Sequence, residues 1–321
     1  MFEPAPRKPS SMPGDIIERD MVLFAVPKKG RLLEEVMKLL KGSGLDAKRP
    51  ERLDVAMCSE LPVKLVFLPA ADIPQYVIDG NVDLGISGGD MLEETLLGEG
   101  LTMTGENLPV QVLSNLGMGK CKLCLQAPKL LGSTDAADFV GKRIVTSFPN
   151  ITRRFFDNIQ GESTEKTVIK VVSGSVEAAC GLGLADAVVD LVETGTTMRA
   201  AGLEVVTSVL ETEALLFQQV HKEGTPSAKA ETISLIKQRI SGYLTSTRYI
   251  MIVYNCQTAD LVSCCKLTPG KRSPTITPLK EEGWHSVSAL VSKQQMNATM
   301  DELLKHGASD ILCFSLTSTR M

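Results

Sequence analysis

The stretch from Gly183 to Ala200 concentrates the residue types best suited to chemistry. Ala187 to Val192 is apolar and β-branched apart from Asp190, the composition of a strand buried on both faces. Glu193, Thr194, Gly195, Thr196 and Thr197 follow, and then Met198-Arg199-Ala200-Ala201, a helix opening that Gly202 closes. A strand, a hydroxyl-rich turn and a helix N-terminus together make an anion cradle. Backbone N–H groups point outward unpaired, the helix dipole favours negative charge, the threonines add donors and Gly195 admits a close approach. The same turn also serves as a plain helix cap, a common use of threonine without any ligand. Asp190 and Glu193 weigh between the two readings. Carboxylates beside a cradle repel bare phosphate but suit sugar hydroxyls or a divalent metal. Phosphate at one end and a diol or metal at the other describes a ribose 5-phosphate site.

A second charged turn, Pro27-Lys28-Lys29-Gly30-Arg31, joins a buried strand (21–26) to a helical pattern (32–41) that Gly42 and Gly44 end. Read alone it is an ordinary loop with solvated lysines; beside the first cradle, it offers the cations that a second, triphosphate-bearing substrate needs. Residues 65–68 read as another buried strand. Asp72-Ile73-Pro74 opens a helix to Asp79, with proline in the first turn where a missing N–H costs little. The strand at 82–86 ends in Ser87-Gly88-Gly89-Asp90, ahead of a helix at 91–97. Asp90 reads equally as an N-cap and as a ligand contact, and the glycines let adenine or ribose lie against the backbone.

The pattern restarts at Gly119, with strands at 120–127, 142–146, 167–172 and 187–192 and helices at 134–140, 151–159 and 176–181. Ser173-Gly174-Ser175 caps a helix carrying Glu177, which either complements the helix dipole or joins Asp190. Alternating strands and helices predict two α/β lobes with parallel sheets. Lobe I spans residues 21–116, the chain returning to it at about 203–222, and lobe II spans 117–202. After the linker Gly224-Thr225-Pro226-Ser227 comes a helix from 228 to 244. Strand 248–255, helix 258–267, strands 274–279 and 284–291, helix 295–306 and strand 310–316 then give the βαββαβ order of a ferredoxin-like α+β domain, residues 226–321. It carries no acid–base pair and no phosphate cradle, so regulation or assembly suits it better than catalysis.

The composition bounds the rest. Thirty-four basic against 38 acidic residues give a net charge of −4, without the basic block that nucleic acid requires. No apolar run reaches the ~18 residues of a membrane span. The first twenty residues are Pro-rich and polar, without the apolar segment of a secretory signal, and read as a disordered tail. Of the eight cysteines, Cys121 and Cys124 form the only CxxC, and a strand period of two sends them to opposite faces. Scattered core thiols in a reducing, cytoplasmic compartment account for the set. The three histidines (His221, His285, His306) all lie in the last third and argue against a histidine-based triad or zinc site.

The run from Asp186 to Leu203 resembles the phosphoribosyl-diphosphate loop of the ATP phosphoribosyltransferases. Also similar are residues 25–32; Asp72-Ile73-Pro74 with 83–86; Gly119-Lys120-Cys121; 146–150 with Arg153 and Arg154; and 173–177. The resemblance runs in order from about residue 21 to 321, and the C-terminal part is that of the long form. It implies a two-lobed, periplasmic-binding-protein-like catalytic region followed by a ferredoxin-like regulatory domain. It implies attack of adenine N1 of ATP on C1 of phosphoribosyl diphosphate, with Mg²⁺ and release of pyrophosphate. Phosphoribosyl diphosphate is then bound by Asp190, Glu193, Thr194, Gly195, Thr196 and Thr197. Asp190, Glu177 and Glu193 stand around the ribose and metal. ATP is bound by Lys29, Gly30, Arg31, Arg49, Gly88 and Asp90, with Arg52 a helper. Histidine, the feedback inhibitor, is bound by Asn255, Ser273, Thr275 and Leu290, in a homo-oligomer built as a hexamer of dimers. Many relatives have an acid where this chain has Asn255; the amide keeps a hydrogen bond to the effector's ammonium but loses the charge. Two rivals remain in view. One is a two-lobed anion-binding protein with an amino-acid sensor; the other is a catalytically idle regulatory paralogue, which predicts a degraded cradle that this sequence does not have.

Overall fold

The computed structural model describes residues 21–48, 53–161, 166–220 and 228–320. The expectations for the first twenty residues, Arg49, Arg52, His221 and the linker at 224–227 lie outside them. The chain divides into two compact units, residues 1–36 with 47–230 and residues 37–46 with 231–321.

The first unit holds both lobes. In chain order lobe I begins with β1 (Val22–Pro27), α1 (Arg31–Gly42, its second half from Met37 counted with the second unit), β2 (Val55–Met57) and β3 (Val63–Leu68). It continues through α2 (Ile73–Ile78), β4 (Leu84–Gly88), α3 (Gly89–Gly98) and β5 (Val110–Asn115). Lobe II comprises β6 (Cys121–Pro128), β7 (Arg143–Thr146), α4 (Pro149–Gln160), β8 (Val168–Val171), α5 (Ala178–Gly181), β9 (Ala187–Val192), α6 (Thr196–Ala200) and β10 (Leu203–Thr212). The chain then re-enters lobe I as β11 (Ala214–Gln219).

The lobe I sheet has the order β2-β3-β1-β4-β11-β5 and the lobe II sheet β10-β6-β9-β7-β8. β1 pairs in parallel with β3 and β4, a central position that explains its nearly unbroken apolar run. Both sheets are mixed rather than parallel. β11 runs antiparallel to β4 and β5, and β6 runs antiparallel to β9 and β10. The return to lobe I also comes later than residue 203: β10 pairs along β6 in lobe II, and the crossing falls at Glu213. A strand's own pattern shows that one face is buried, not which sheet buries it.

The helix expected at 134–140 is a single 3₁₀ turn, Ala136–Phe139, preceded by another at Lys129–Leu131. The Asp135 side chain accepts the Ala137 N–H at 2.9 Å, and Phe139 alone in the second turn is buried, too little apolar surface to hold a longer helix. Each lobe has its own core, around Ala25, Ile73, Leu92 and Phe217 in the first and Leu123, Ile144, Phe156 and Val189 in the second. A fully buried side chain of this size contributes roughly 1.5–3 kcal/mol.

The second unit takes residues 231 onward of α7 (Ala228–Arg248), then β12 (Tyr249–Gln257), α8 (Leu261–Leu267), β13 (Thr275–Pro278), β14 (Trp284–Ser292), α9 (Met296–Lys305) and β15 (Ser309–Ser315). Its sheet, β13-β14-β12-β15, is antiparallel throughout, the ferredoxin-like arrangement expected from the element order. Ile250, Ile252, Tyr254 and Cys256 alternate inward against Cys264 and Leu303 of the two covering helices. No described helix is long and apolar enough to cross a membrane.

Candidate active site

β9 is buried through Val189 and half-buried from Asp190 onward, so the strand emerges where its acid stands. Gln126 donates to the Asp190 carbonyl at 3.1 Å, and the Asp190 carboxylate accepts the Leu191 N–H at 2.8 Å. Burial pushes the Asp190 carboxyl above its ordinary range, and the charge of Glu177 pushes it the same way against the Leu191 bond. Glu177 occupies the N-cap position of α5 without making a side-chain cap bond. Two carboxylates close enough to feel each other, one of them desolvated, form an arrangement that a cation or a pair of hydroxyls relieves.

The turn after β9 is not a threonine cap. α6 begins at Thr196, two residues earlier than expected, and its N-cap is Gly195, with no side-chain cap bond. Gly195 is buried with φ +71°, a conformation that calls for glycine, and a Cβ there would push aside the end of the Arg199 side chain, 2.8 Å away. Arg199 donates to the Thr194 carbonyl at 2.9 Å, and the Thr194 and Thr196 hydroxyls lie 3.0 Å apart. Thr194, Thr196 and Thr197 are exposed. The hydroxyls are therefore left for something other than the helix.

Lys29, Gly30 and Arg31 are exposed at the start of α1, Gly30 with φ +84° and open space around it. Arg31 Nη1 lies 2.7 Å from Glu193 Oε2, joining the lobe I turn to the lobe II turn. Both side chains are largely exposed, so the pair adds little stability; its meaning is geometric. Between the lobes lies a cleft of about 730 Å³, and Glu193 is the one expected site residue that lines it. Its floor is made by the two segments that cross between lobes, with Asn115, Lys120, Cys121, Thr212 and Glu213. Gly89 also lines it, whereas Asp90 is buried and exchanges bonds with Thr212, N–H to Oγ1 at 2.9 Å and Oγ1 to Oδ1 at 3.2 Å. Gly88 caps α3, which makes Asp90 the second helical residue and not the N-cap.

Sequence reading assigned no role to several groups in or near this cleft. Lys122 pairs with Glu211, and Arg154 of lobe II pairs with Glu93 of lobe I. Lys120 makes no ion pair or hydrogen bond with a described residue. The Glu94 carboxylate accepts the N–H groups of Asn150 and Ile151 at 2.8 and 2.9 Å, capping α4 from the other lobe. Burial, and then the charges of Asp90 and Glu193, push the Cys121 thiol up to about 11, which disfavours its thiolate. All eight cysteines are free.

The residues fit a divalent cation only in part. Among the described residues no three His, Cys, Asp or Glu side chains gather as a metal site. Asp190 and Glu177 offer two carboxylates, which leaves a hard cation to draw its remaining oxygen ligands from substrate and water.

In the second unit Asn255, Thr275 and Leu290 share the sheet face opposite α8 and α9. Asn255 pairs with Ser286, Thr275 with Ser288 and Leu290 with Met251. Ser273 lies in the loop just before β13, its carbonyl close against Gly270, which has φ +63°. The structure thus brings Asn255, Thr275 and Leu290 to one face of one sheet, with Ser273 in the loop leading into it.

The model for ATP phosphoribosyltransferase (HisG) matches residues 69–242, and that for the HisG C-terminal domain matches residues 246–318. The chain is 44% identical over 309 residues to the ATP phosphoribosyltransferase of Candida glabrata and 42% identical over 304 residues to that of Saccharomyces cerevisiae. Each alignment spans 94% of this chain and 97% of the relative. A solved structure of the ATP phosphoribosyl transferase (HisG:HisZ) complex from Thermotoga maritima superimposes with a TM-score of 0.54 at 26% identity, over 69% of this chain and 99% of that one.

Proposed function

The chain belongs to the ATP phosphoribosyltransferase family and catalyses the first step of histidine biosynthesis, and on that footing we propose that the interlobe cleft is its active site. ATP and phosphoribosyl diphosphate are the substrates. The reading of a binding protein with no reaction to perform is set aside by identity this high along nearly the whole chain.

One observation carries the site assignment: the 2.7 Å approach of Arg31 to Glu193, which sets the proposed triphosphate turn against the proposed ribose-phosphate turn. In this reading the backbone of residues 194–197 and the threonine hydroxyls hold the 5′-phosphate, and Asp190 receives the ribose hydroxyls. Lys29, Gly30 and Arg31 take the ATP phosphates. Lys120, a cation with no described partner on the cleft floor, faces the leaving diphosphate. Adenine N1 already owns a lone pair, so the N1–C1 bond forms as the C1–O bond to diphosphate breaks, with inversion and no strong general base. The absence of a histidine or a reactive thiol from the described cleft lining accords with this. Catalysis then rests on aligning two polyanions and on fixed dipoles aimed at the developing charge. Mg²⁺, when bound, would neutralise the diphosphate; Asp190 and Glu177 would offer it two carboxylates, with Glu193, paired to Arg31, a weaker candidate.

The second unit is read as the histidine sensor of a cytoplasmic homo-oligomer. The support is its own separate core and the shared sheet face of Asn255, Thr275 and Leu290. The test is turnover of ATP with phosphoribosyl diphosphate, followed by the near-ultraviolet change as adenine N1 is substituted, with and without histidine. Exchanging Thr194 and Thr197 for valine is expected to raise KM for phosphoribosyl diphosphate at least tenfold, by loss of two hydroxyl contacts to a charged group, with unchanged unfolding. Wild-type kinetics in that variant would refute the cradle.

A further inference from the structure

We propose that Asp310 supplies the negative charge that meets the α-ammonium of the amino-acid effector, with Asn255 as the positioning residue that holds its carboxylate. The inference rests on the effector reading of the second unit and adds a residue that reading does not contain.

Asn255 is an amide on the open face of the sheet, without a charge of its own. Its Nδ2 donates to Asp310 Oδ2 at 3.0 Å, and Ser309 Oγ approaches the same oxygen at 3.3 Å. No described residue donates to Oδ1, which leaves that oxygen for an incoming donor. The carboxylate reaches this place through a fault in the strand. Val253 pairs with Leu312, but Asn255 pairs with Ser309, so two steps along β12 answer three along β15. The extra residue makes a bulge, a device that re-aims a side chain at a sheet edge. Asp310 sits in it with φ +50°, a conformation that aspartate and asparagine adopt more readily than other side chains with a Cβ.

The surroundings suit a zwitterion. Inward-pointing Tyr254 and Cys256 flank Asn255 in sequence and are fully buried, which fixes the Asn255 side chain on the opposite, open face. Across that face its row continues through Ser286 to Thr277, and the next row holds Ser288 and Thr275. Leu290 and Met251 lie beyond as an apolar floor. One carboxylate beside a line of hydroxyls and an aliphatic patch matches an ammonium, a carboxylate and a side chain in turn. The carboxylate on this face therefore stands on the strand beside Asn255, held by its amide.

The experiment is calorimetric titration of the full chain with L-histidine, beside turnover measured without effector. Asp310→Asn keeps a residue that tolerates positive φ, so the bulge is preserved, and uninhibited turnover is expected to match wild type. Histidine affinity is expected to fall about tenfold or more, the usual worth of a hydrogen bond to a charged partner. Imidazole-lactate, which has a hydroxyl in place of the ammonium, is expected to bind wild type and variant alike. The exchanged pair Asn255→Asp with Asp310→Asn restores one carboxylate held by one amide, and histidine affinity is expected to return to within a few-fold. If wild type binds histidine and Asp310→Asn binds it equally well, Asp310 has no such role. If wild type does not bind histidine, the effector reading itself falls and the Asp310 assignment falls with it.

Discussion

Glu94 offers the sharpest test of how the two lobes are held. α4 begins Phe148-Pro149-Asn150-Ile151, and its N-cap, Phe148, has no side chain able to cap. Pro149 has no N–H, so the exposed donors of the first turn are those of Asn150 and Ile151, and both go to Glu94 of the other lobe. A hydrogen bond to a charged acceptor contributes about 1.5–3 kcal/mol, and loss of a helix cap costs about 0.5–2 kcal/mol. Glu94 is half-buried, so water recovers part of this in its absence. We expect Glu94→Ala to cost about 2–3 kcal/mol, and Glu94→Gln, which keeps one acceptor, about half as much. Global unfolding is a poor readout in a chain of several domains. Hydrogen exchange at the amides of α4 reads the local opening directly, and 2–3 kcal/mol corresponds to roughly 30–150-fold faster exchange in Glu94→Ala. Exchange in α4 within threefold of wild type would show that the two bonds hold nothing, and the account of how α4 is anchored would have to be abandoned.

Asp190→Asn should separate stability from function. Its folded carboxyl titrates above the ordinary value, so the native state is penalised while the group is ionised at neutral pH, and the penalty eases as pH falls. The variant is expected to melt slightly higher than wild type in a thermal scan while KM for phosphoribosyl diphosphate rises at least tenfold; a lower melting point would contradict the burial argument. Gly195→Ala places a residue with a Cβ at φ +71°, at a cost of about 1–2 kcal/mol, and displaces Arg199 from the Thr194 carbonyl. Urea unfolding should show that loss, and KM for phosphoribosyl diphosphate should rise with kcat less affected. Asp186 is held at about 2 by the side-chain and backbone donors of Arg143, below its ordinary 3.8. Its contribution is present above the ordinary value and fades as pH falls toward the folded one, and because the pair is partly exposed it amounts to roughly 0.5–1 kcal/mol. The gap in urea midpoint between wild type and Asp186→Asn should hold steady from neutral pH to about 5 and narrow below about 4; a gap that widens on acidification has the wrong sign.

The strand, turn and helix opening around Gly195 were legible because their signal is local. A β-branched run, five small or polar residues and a helix opening occupy eighteen consecutive positions, and nothing distant is needed to see Gly195 as the pivot. The ferredoxin-like unit was legible for the same reason, since each of its elements carries its own period. Asp90 was harder. Its sequence neighbours fit a cap, and only the arrival of Thr212, 122 residues later, shows the carboxylate turned inward. The helix expected at 134–140 failed because propensity alone does not hold a short helix that buries one side chain.

By itself the sequence determined the alternating α/β pattern of the two lobes, the strand, turn and helix opening around Gly195, and the βαββαβ order of the C-terminal unit. These follow from side-chain type and short-range spacing, which the chain carries whatever it later packs against. Only the tertiary structure decided that β10 stays with β6, that Arg31 meets Glu193, that Glu94 caps a helix of the other lobe, and that Asp310 reaches Asn255. Each joins residues at least 55 positions apart, and the partner of a strand edge or a charge is fixed by the sheet order and the bulge that bring it near, not by any pattern written beside it.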